Sequence, residues 1–339
     1  MALNLPYKSF PTGWFQIGWS DELAPGEVKP IKYFDTDMVL SRSASGVARV
    51  FDAYCPHMGA HLGYGGTIEE ECIRCPYHGW KYDADGNNVE IPYDKQPNKI
   101  QKLVPHSVAE SNGMIYLWNS DVGQEPYWQP PRIDEFYSPD FRTSPQLRKL
   151  HPNVRLQPQV AWENQTDAAH QQWVHKGSEP TRLYIFEADE EPHIFHTKGE
   201  IVIGAKKDKT WLSPEGSYWA ELHTWTYGLG FAFARFVDQD DSVHGVAITP
   251  IDHEHCDLFG TVACKASDFD EETGEPGEMA LKRFKFEMRQ TERDQVIWEN
   301  QQYVQRAPFS PFEARQMNAF RRWSRQFYPD AQIPAEVEA

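Results

Sequence analysis

The sequence predicts an α+β protein in two parts: an all-β N-terminal unit, then a unit in which antiparallel sheet is combined with helices. Three observations lead there. β-type runs separated by turn residues fill the first 120 positions. A proline-rich stretch, "QEPYWQPPRIDEFYSPDF" (124–141), then interrupts regular structure. Beyond it, helix-like segments flank a long run of strand-like alternation. At 339 residues the chain exceeds the usual size of one hydrophobic core, which agrees with two domains. The boundaries read as 1–125 for the first unit, 126–145 for a linker and 146–339 for the second unit.

The elements follow in order. "KYFDTDMVLSRSASGVARVFDAYC" (32–55) carries two β-type runs around "SRSASG", a hairpin pattern. "WKYDADGNNVEIP" (80–92) carries two more around the turn dipeptide Asp85-Gly86. "NGMIYLWN" (112–119) reads as a further strand. After the prolines, "AWENQTDAAHQQWVH" (161–175) contains helix formers without Gly or Pro and predicts a helix. The alternating stretches "HIFHTKGEIVIGA" (193–205), "YWAELHTWTYGLGFAFARFV" (218–237) and "HGVAITPI" through "DLFGTVAC" (244–264) predict an antiparallel sheet. An acidic loop, "DFDEETGEPGE", precedes a long predicted helix over 279–305. In the last helix, Phe320, Trp323 and Phe327 form an apolar stripe suited to the core.

Composition excludes several classes of function. Apolar residues make up 40 % and charged residues 24 %, as in a folded globular protein. A net charge of −17 argues against nucleic acid as partner, because phosphate backbones are bound by an excess of Lys and Arg. The start "MALNLPYKSFPTGWF" lacks the pattern of a secretory signal, and no apolar run is long enough for a membrane span. Five cysteines are too few for a disulfide scaffold of this size, so a reducing, cytoplasmic setting is expected. "GYGG" and "GLG" lack the spacing and context of a dinucleotide loop, so no NAD or flavin is expected on this chain.

Chemistry concentrates first in "CPHMGAHLGYGGTIEEECIRCPYHGW" (55–80). Cys55-Pro-His57 and Cys75-Pro-Tyr-His78 each supply one sulfur and one imidazole. Two Cys and two His suit a tetrahedral zinc, and the Cys72/Cys75 pair is a spacing that zinc sites favour. The same residues suit a [2Fe–2S] cluster with two Cys on one iron and two His on the other, an arrangement that uses both phrases symmetrically. Glycines at 59, 63, 65, 66 and 79 would let the backbone turn around a cluster and aim N–H groups at its sulfides.

"CPHMGAHL…CPYHGW" resembles the Rieske fingerprint C-x-H…C-x-x-H. The resemblance implies a [2Fe–2S] cluster held by Cys55, His57, Cys75 and His78, with His61 and Cys72 as bystanders. Imidazole ligation raises the potential of such a cluster, so it accepts electrons readily and relays them.

A Rieske domain occupies little more than the first 120 residues, and the chain goes on. In "ENQTDAAHQQWVHKG", Asp167 and His170 lie one helical turn apart, whereas His170 and His175, five apart, would splay on an ideal helix. They converge only through a π-bulge or a break before His175. By spacing alone, two exposed histidines on a polar helix are the simpler reading. The stretch resembles, however, the D-x-x-H-x(4)-H motif of the catalytic subunits of Rieske non-haem iron oxygenases. That resemblance implies a mononuclear Fe(II) on His170, His175 and a later carboxylate, a 2-His-1-carboxylate triad. Glu292, Asp294 and Glu299 are the choices. Asp294 is expected, because Ile297 and Trp298 follow at i+3 and i+4 on a bulky apolar face and the family places an aspartate before such an "xxIW" segment. A core aspartate in an ordinary ion pair is the alternative. Asp167 corresponds to the family's bridging aspartate, which links an iron-ligand histidine to a cluster histidine of the next subunit in a head-to-tail homotrimer. "IDHEHC" (251–256) holds His253, His255 and Cys256, and reads better as a solvated turn than as a metal clip.

Within the family, "AYCPHMGAHL", "WENQTDAAHQQWVH", "YGLGFAFARF", "DQVIWENQQY" and "FRRWSRQFYP" most resemble the oxygenase component of 3-ketosteroid 9α-hydroxylases. The fold implied for the second unit is a helix-grip, START-like sheet flanked by helices. The implied activity is that of a terminal oxygenase: O2 and electrons from a ferredoxin or an NADH-dependent flavin reductase hydroxylate a hydrophobic, steroid-like or polycyclic substrate. Trp219, Trp225, Tyr227, Phe231 and Phe233 are expected either to line its pocket or to pack in the sheet core. The alternatives are O- or N-demethylation or ring dioxygenation of a smaller aromatic compound, a Rieske electron carrier with no oxygenase chemistry, and a zinc-stabilised binding module.

Overall fold

The computed structural model describes residues 4–204, 215–237 and 240–332. Ala205, at the end of one predicted strand stretch, lies outside the described residues. The chain separates into two compact units. One comprises Trp14–Arg132 with Ile251–His253, and the rest of the described chain forms the other.

The first unit is built of antiparallel sheets. Val28–Tyr33, Thr36–Arg42, Ala48–Asp52 and Pro105–His106 form one of them, and Thr67–Glu69, Cys72–Arg74, Lys81–Tyr82 and Asn88–Glu90 another. The predicted hairpin around "SRSASG" is present, with Arg42 opposite Ala48 and Val39 opposite Phe51. So is the turn around Asp85-Gly86, with Tyr82 opposite Asn88. Gly86 has φ 77° and sits where a β-carbon would fall 1.9 Å from the Leu103 carbonyl, so both its conformation and its neighbour demand glycine. One hairpin escaped the sequence pattern. Tyr33 pairs with Thr36 across Phe34-Asp35, both at positive φ, without the Gly or Asn usual in such a turn. The Phe34 ring packs on Phe15, a tertiary contact that offsets the local cost. The proline-rich stretch is anchored to this unit as far as Arg132: Trp128 is buried, its carbonyl accepts from Trp14 Nε1, and the Pro131 carbonyl accepts from Ser111 and Asn112.

The second unit contains the predicted antiparallel sheet. Its order is Phe141–Arg142, His255–Lys265, Asp240–Pro250, Phe231–Val237, Tyr218–Tyr227, Ile194–Ile203 and Arg182–Ala188, with Arg148–Arg155 also pairing with His255–Lys265. The long helix runs Glu278–Trp298 and stops short of the predicted residue 305. Tertiary hydrogen bonds take over there. Arg155 Nη1 binds the carbonyl of Glu299 at 2.7 Å, and Arg321 Nη1 binds those of Val304 and Gln305. Carbonyls satisfied by guanidinium groups have no need of the next helical turn. The terminal helix Ala314–Ser324 buries Met317, Phe320 and Trp323, and Phe327 joins them, so the predicted stripe is core. No helix among the described residues is long and apolar enough to cross a membrane.

Candidate metal centres

The loops carrying the two Cys/His phrases share one plan. Each cysteine N–H donates to the carbonyl five residues on, Cys55 to Ala60 at 2.9 Å and Cys75 to Trp80 at 2.8 Å. Each glycine four residues on donates back to the cysteine carbonyl, Gly59 to Cys55 at 2.8 Å and Gly79 to Cys75 at 3.1 Å. Gly59 and Gly79 reverse the chain at φ 72° and 73°, where a β-carbon is disfavoured. A proline after each cysteine restricts the start of both turns.

These turns place the side chains in a half-buried nest. Both thiols are free and 2 % exposed, packed with Phe51, Leu62, Ile73 and Tyr82. The His57 ring stacks on Trp80 with centroids 4.3 Å apart and planes 7° apart, and lies 4.7 Å from the His78 ring. Nδ1 of His78 is buried with no hydrogen-bond partner among the described residues. The Tyr82 hydroxyl lies 3.2 Å from Cys55 Sγ, and burial pushes the pKa of both groups up. A metal on Cys55 would have to displace that proton.

One ion does not fit these donors. Tetrahedral Cys and His ligands of a single zinc lie about 3.3–3.8 Å apart, given bonds of roughly 2.0–2.3 Å. Among the described residues no three of Cys55, His57, Cys72, Cys75 and His78 come within 4.8 Å of one another. Donors shared between two irons are free of that limit, so the set fits a binuclear cluster. His61 and Cys72 have other places: His61 Nδ1 accepts from Gly63 N–H at 3.0 Å, and Cys72 stands on a strand opposite Glu69. The role expected of the glycine amides needs correction. The N–H groups of Gly59, Gly63, Gly66 and Gly79 donate to acceptors within the protein. Gly63 and Gly66 are there for space, since a β-carbon would fall 2.8 Å from Pro30 and 2.2 Å from the Leu62 carbonyl.

In the second unit the predicted helix 161–175 is three short pieces: Pro158–Trp162, a 3-10 turn Glu163–Gln165, and His170–Trp173. Asp167 causes the restart. Its Oδ1 accepts from the N–H groups of Ala169 at 3.0 Å and His170 at 3.3 Å, a capping interaction that begins a new helix. Its carbonyl receives His170 Nδ1 at 2.5 Å, which leaves Nε2 of that ring available. The new helix ends at once. It stops at Trp173, so His175 falls after the break that its five-residue spacing requires, and just beyond it Lys176 takes φ 61° and Gly177 N–H returns to the Gln171 carbonyl.

The break lets three side chains meet. His170, His175 and Asp294 each offer a ligand atom within 4.8 Å of the others, the one such group of three among the described residues. His175 Nε2 and Asp294 Oδ1 are 3.2 Å apart, with side chains 8 % and 13 % exposed. Yet Asp294 Oδ1 has no partner of hydrogen-bond geometry, and neither has His175 Nδ1. Two donors each about 2.1 Å from one ion span 3.2 Å at an angle near 100°, so the residues fit a metal better than they fit each other. Two imidazoles and one carboxylate on one side of an ion leave other positions open to small molecules. The rejected carboxylates are otherwise engaged: Glu292 pairs with Lys149 at 2.5 Å and Glu299 accepts from Gln295 at 3.0 Å. One premise for Asp294 does not hold, since Ile297 is 49 % exposed and only Trp298 is buried. "IDHEHC" forms no clip: Cys256 is buried and its thiol donates to the Leu156 carbonyl at 3.1 Å.

A cavity of about 60 Å³ adjoins His170, lined also by Asp167, Thr197, Leu222 and Thr224 among others. Residues 197, 222 and 224 set the sheet face involved. Trp225 pairs with Phe233 and Tyr227 with Phe231 at the alternate positions, so those aromatics, with Trp219, point to the other face. Tyr227, Phe231 and Phe233 are buried against one another, and Trp225 stacks on His196. None of these aromatics lines this cavity, and Tyr227, Phe231 and Phe233 belong to the buried core. Sequence reasoning missed Trp80 and Tyr82 beside the thiols, though both lie within seven residues of Cys75. It also missed the cavity residues Gln165 and Thr181, for which no local pattern exists.

Both units resemble parts of known proteins. Residues 13–107 match the model of the Rieske [2Fe-2S] domain, and residues 117–328 match that of the 3-ketosteroid 9alpha-hydroxylase C-terminal domain. Cholesterol 7-desaturase nvd 1 of Ciona intestinalis is 30 % identical over 346 residues, covering 95 % of this chain and 69 % of that protein. The oxygenase component of 3-ketosteroid-9-alpha-monooxygenase from Rhodococcus rhodochrous is 32 % identical over 117 residues, 34 % of this chain and 31 % of that one. Among solved structures, NdmB of Pseudomonas putida CBB5 superposes with a TM-score of 0.70 at 19 % identity, covering 96 % of this chain and 93 % of its own.

Proposed function

The chain belongs to the Rieske non-haem iron oxygenases, and from that membership we propose that it is a terminal oxygenase that hydroxylates a hydrophobic, steroid-like or polycyclic substrate. In this reading Cys55 and Cys75 ligate one iron of a [2Fe–2S] cluster and His57 and His78 the other, while His170, His175 and Asp294 hold a mononuclear Fe(II). When bound, the two centres supply electron storage and the activation of O2. The chain's own residues do the rest. Burial of the thiols and the stack of His57 on Trp80 keep the cluster donors oriented. The Asp167 cap and the end of the helix at Trp173 hold the two histidines toward Asp294.

The observation that carries the proposal is the presence in one chain of a two-loop Cys/His site and a part-buried 2-His-1-carboxylate trio. An electron carrier would have no use for the second. Electrons would come from a ferredoxin or an NADH-dependent flavin reductase. In a cytoplasmic, head-to-tail homotrimer, Asp167 would join His170 of its own subunit to His78 of the next.

The cholesterol 7-desaturase relatives favour a second reading, removal of two hydrogens from a sterol instead of insertion of oxygen. One experiment tests both. The protein, purified anaerobically and supplied with reductase and steroids, should contain about three irons per chain, show a cluster spectrum and consume O2 only with substrate. The product gains an oxygen atom in the first reading and loses two hydrogens in the second. A colourless protein, or iron confined to the cluster, would end the proposal.

A further inference from the structure

Two buried polar atoms are left unmatched beside His170. Gln165 Nε2 and Thr181 Oγ1 have no hydrogen-bond partner among the described residues, and both residues line the cavity that His170 also lines. Thr181 is only 9 % exposed. Burying such groups unmet is costly, so two of them lining one cavity mark it as a place for a hydrogen-bonding partner. The Gln165 amide has a defined orientation. Its Oε1 accepts from the fully buried Thr226 hydroxyl at 2.7 Å, so the NH2 group is what it presents elsewhere. Thr181 is held near by its backbone N–H, which donates to the Ala168 carbonyl at 2.9 Å. Leu183, Ile201 and Leu222 supply an apolar wall.

We propose that Gln165 and Thr181 are a donor pair that reads a carbonyl oxygen on an otherwise apolar substrate. A ketone oxygen offers two lone pairs and no hydrogen, the complement of an amide NH2 and a hydroxyl. A methylene in its place leaves both donors desolvated and unpaired, so the site rejects the analogue lacking oxygen more strongly than it prefers one apolar shape over another. The cavity is far smaller than the roughly 300–1,000 Å³ of a typical ligand pocket, so the pair engages one oxygenated edge of a larger molecule. This assignment rests on reading the second unit as the substrate-binding half of an oxygenase.

Binding tests it without turnover. The holoenzyme is titrated anaerobically, by tryptophan fluorescence, with a 3-ketosteroid and with the steroid hydrocarbon that has CH2 in place of that carbonyl. The unaltered protein is expected to bind the ketone about tenfold more tightly. Thr181→Val and Gln165→Leu should each reduce the preference to about twofold, with the affinity for the hydrocarbon unchanged. Thr181→Val is nearly isosteric and answers the question if Gln165→Leu misfolds. Equal binding of the two steroids, binding of neither, or a preference that survives both substitutions overturns the assignment. Selective binding of the ketone without any steroid oxidation keeps it and removes the function proposed above. Steroid oxidation indifferent to the carbonyl does the reverse.

Discussion

The loops at 55–60 and 75–80 and the trio of His170, His175 and Asp294 both gather metal-ligand side chains, but by opposite means. Each loop is a closed local device, made by a cysteine, a proline, a histidine and a left-handed glycine within six residues, and the pair is nearly a repeat. The trio has no such unit. It needs a helix restarted by Asp167, the end of that helix at Trp173, and a carboxylate 119 positions beyond His175. A site built from local turns tolerates change elsewhere in the fold, whereas one built from separate elements depends on the packing of each.

Four substitutions sharpen that contrast. Asp294→Ala is expected to abolish product, by at least about 100-fold, and to empty the mononuclear site while the cluster spectrum stays intact. Iron analysis and product assay read both parts, and undiminished product would break the trio assignment. Asp167→Asn comes next. Asn caps a helix as well as Asp does, so both metals should remain while turnover falls about tenfold or more through loss of the carboxylate's charge. Full activity in that variant would leave Asp167 with capping alone.

Tyr82→Phe addresses the loops. Removing a hydrogen bond to Cys55 Sγ destabilises the more negative, reduced cluster, so its potential should drop by about 20–60 mV, the equivalent of one ordinary hydrogen bond. A redox titration followed in the visible decides it, and an unmoved potential would show that the hydroxyl does not donate to that sulfur. The smallest effect is expected of Cys72→Ser, which should leave iron content and spectrum unchanged. Loss of the metal there would revive the Cys72/Cys75 pair as a zinc site.

The cluster loops were legible because every residue that shapes them is a sequence neighbour, and Cys-Pro-(x)-x-His appears twice. Asp294 was legible only in part. It was chosen for a buried face it shares with Trp298, yet Ile297, the other half of that reasoning, is exposed. The helix over 161–175 was misread as continuous because propensity sums neighbours and does not see that one carboxylate caps the chain anew at Asp167. The extent of the long helix was overestimated since Arg155 and Arg321, far away in sequence, satisfy the carbonyls that follow it.

By itself the sequence determined the fold class, the antiparallel sheet with its alternating faces, and the two matched Cys/His turns. All of these depend on periodicity or on contacts spanning a few residues. Only the tertiary structure decided which carboxylate meets the histidines, which sheet face borders the cavity, and which polar atoms are left unmatched there. Those outcomes arise from packing between elements many residues apart, and no local pattern encodes the position of one element against another.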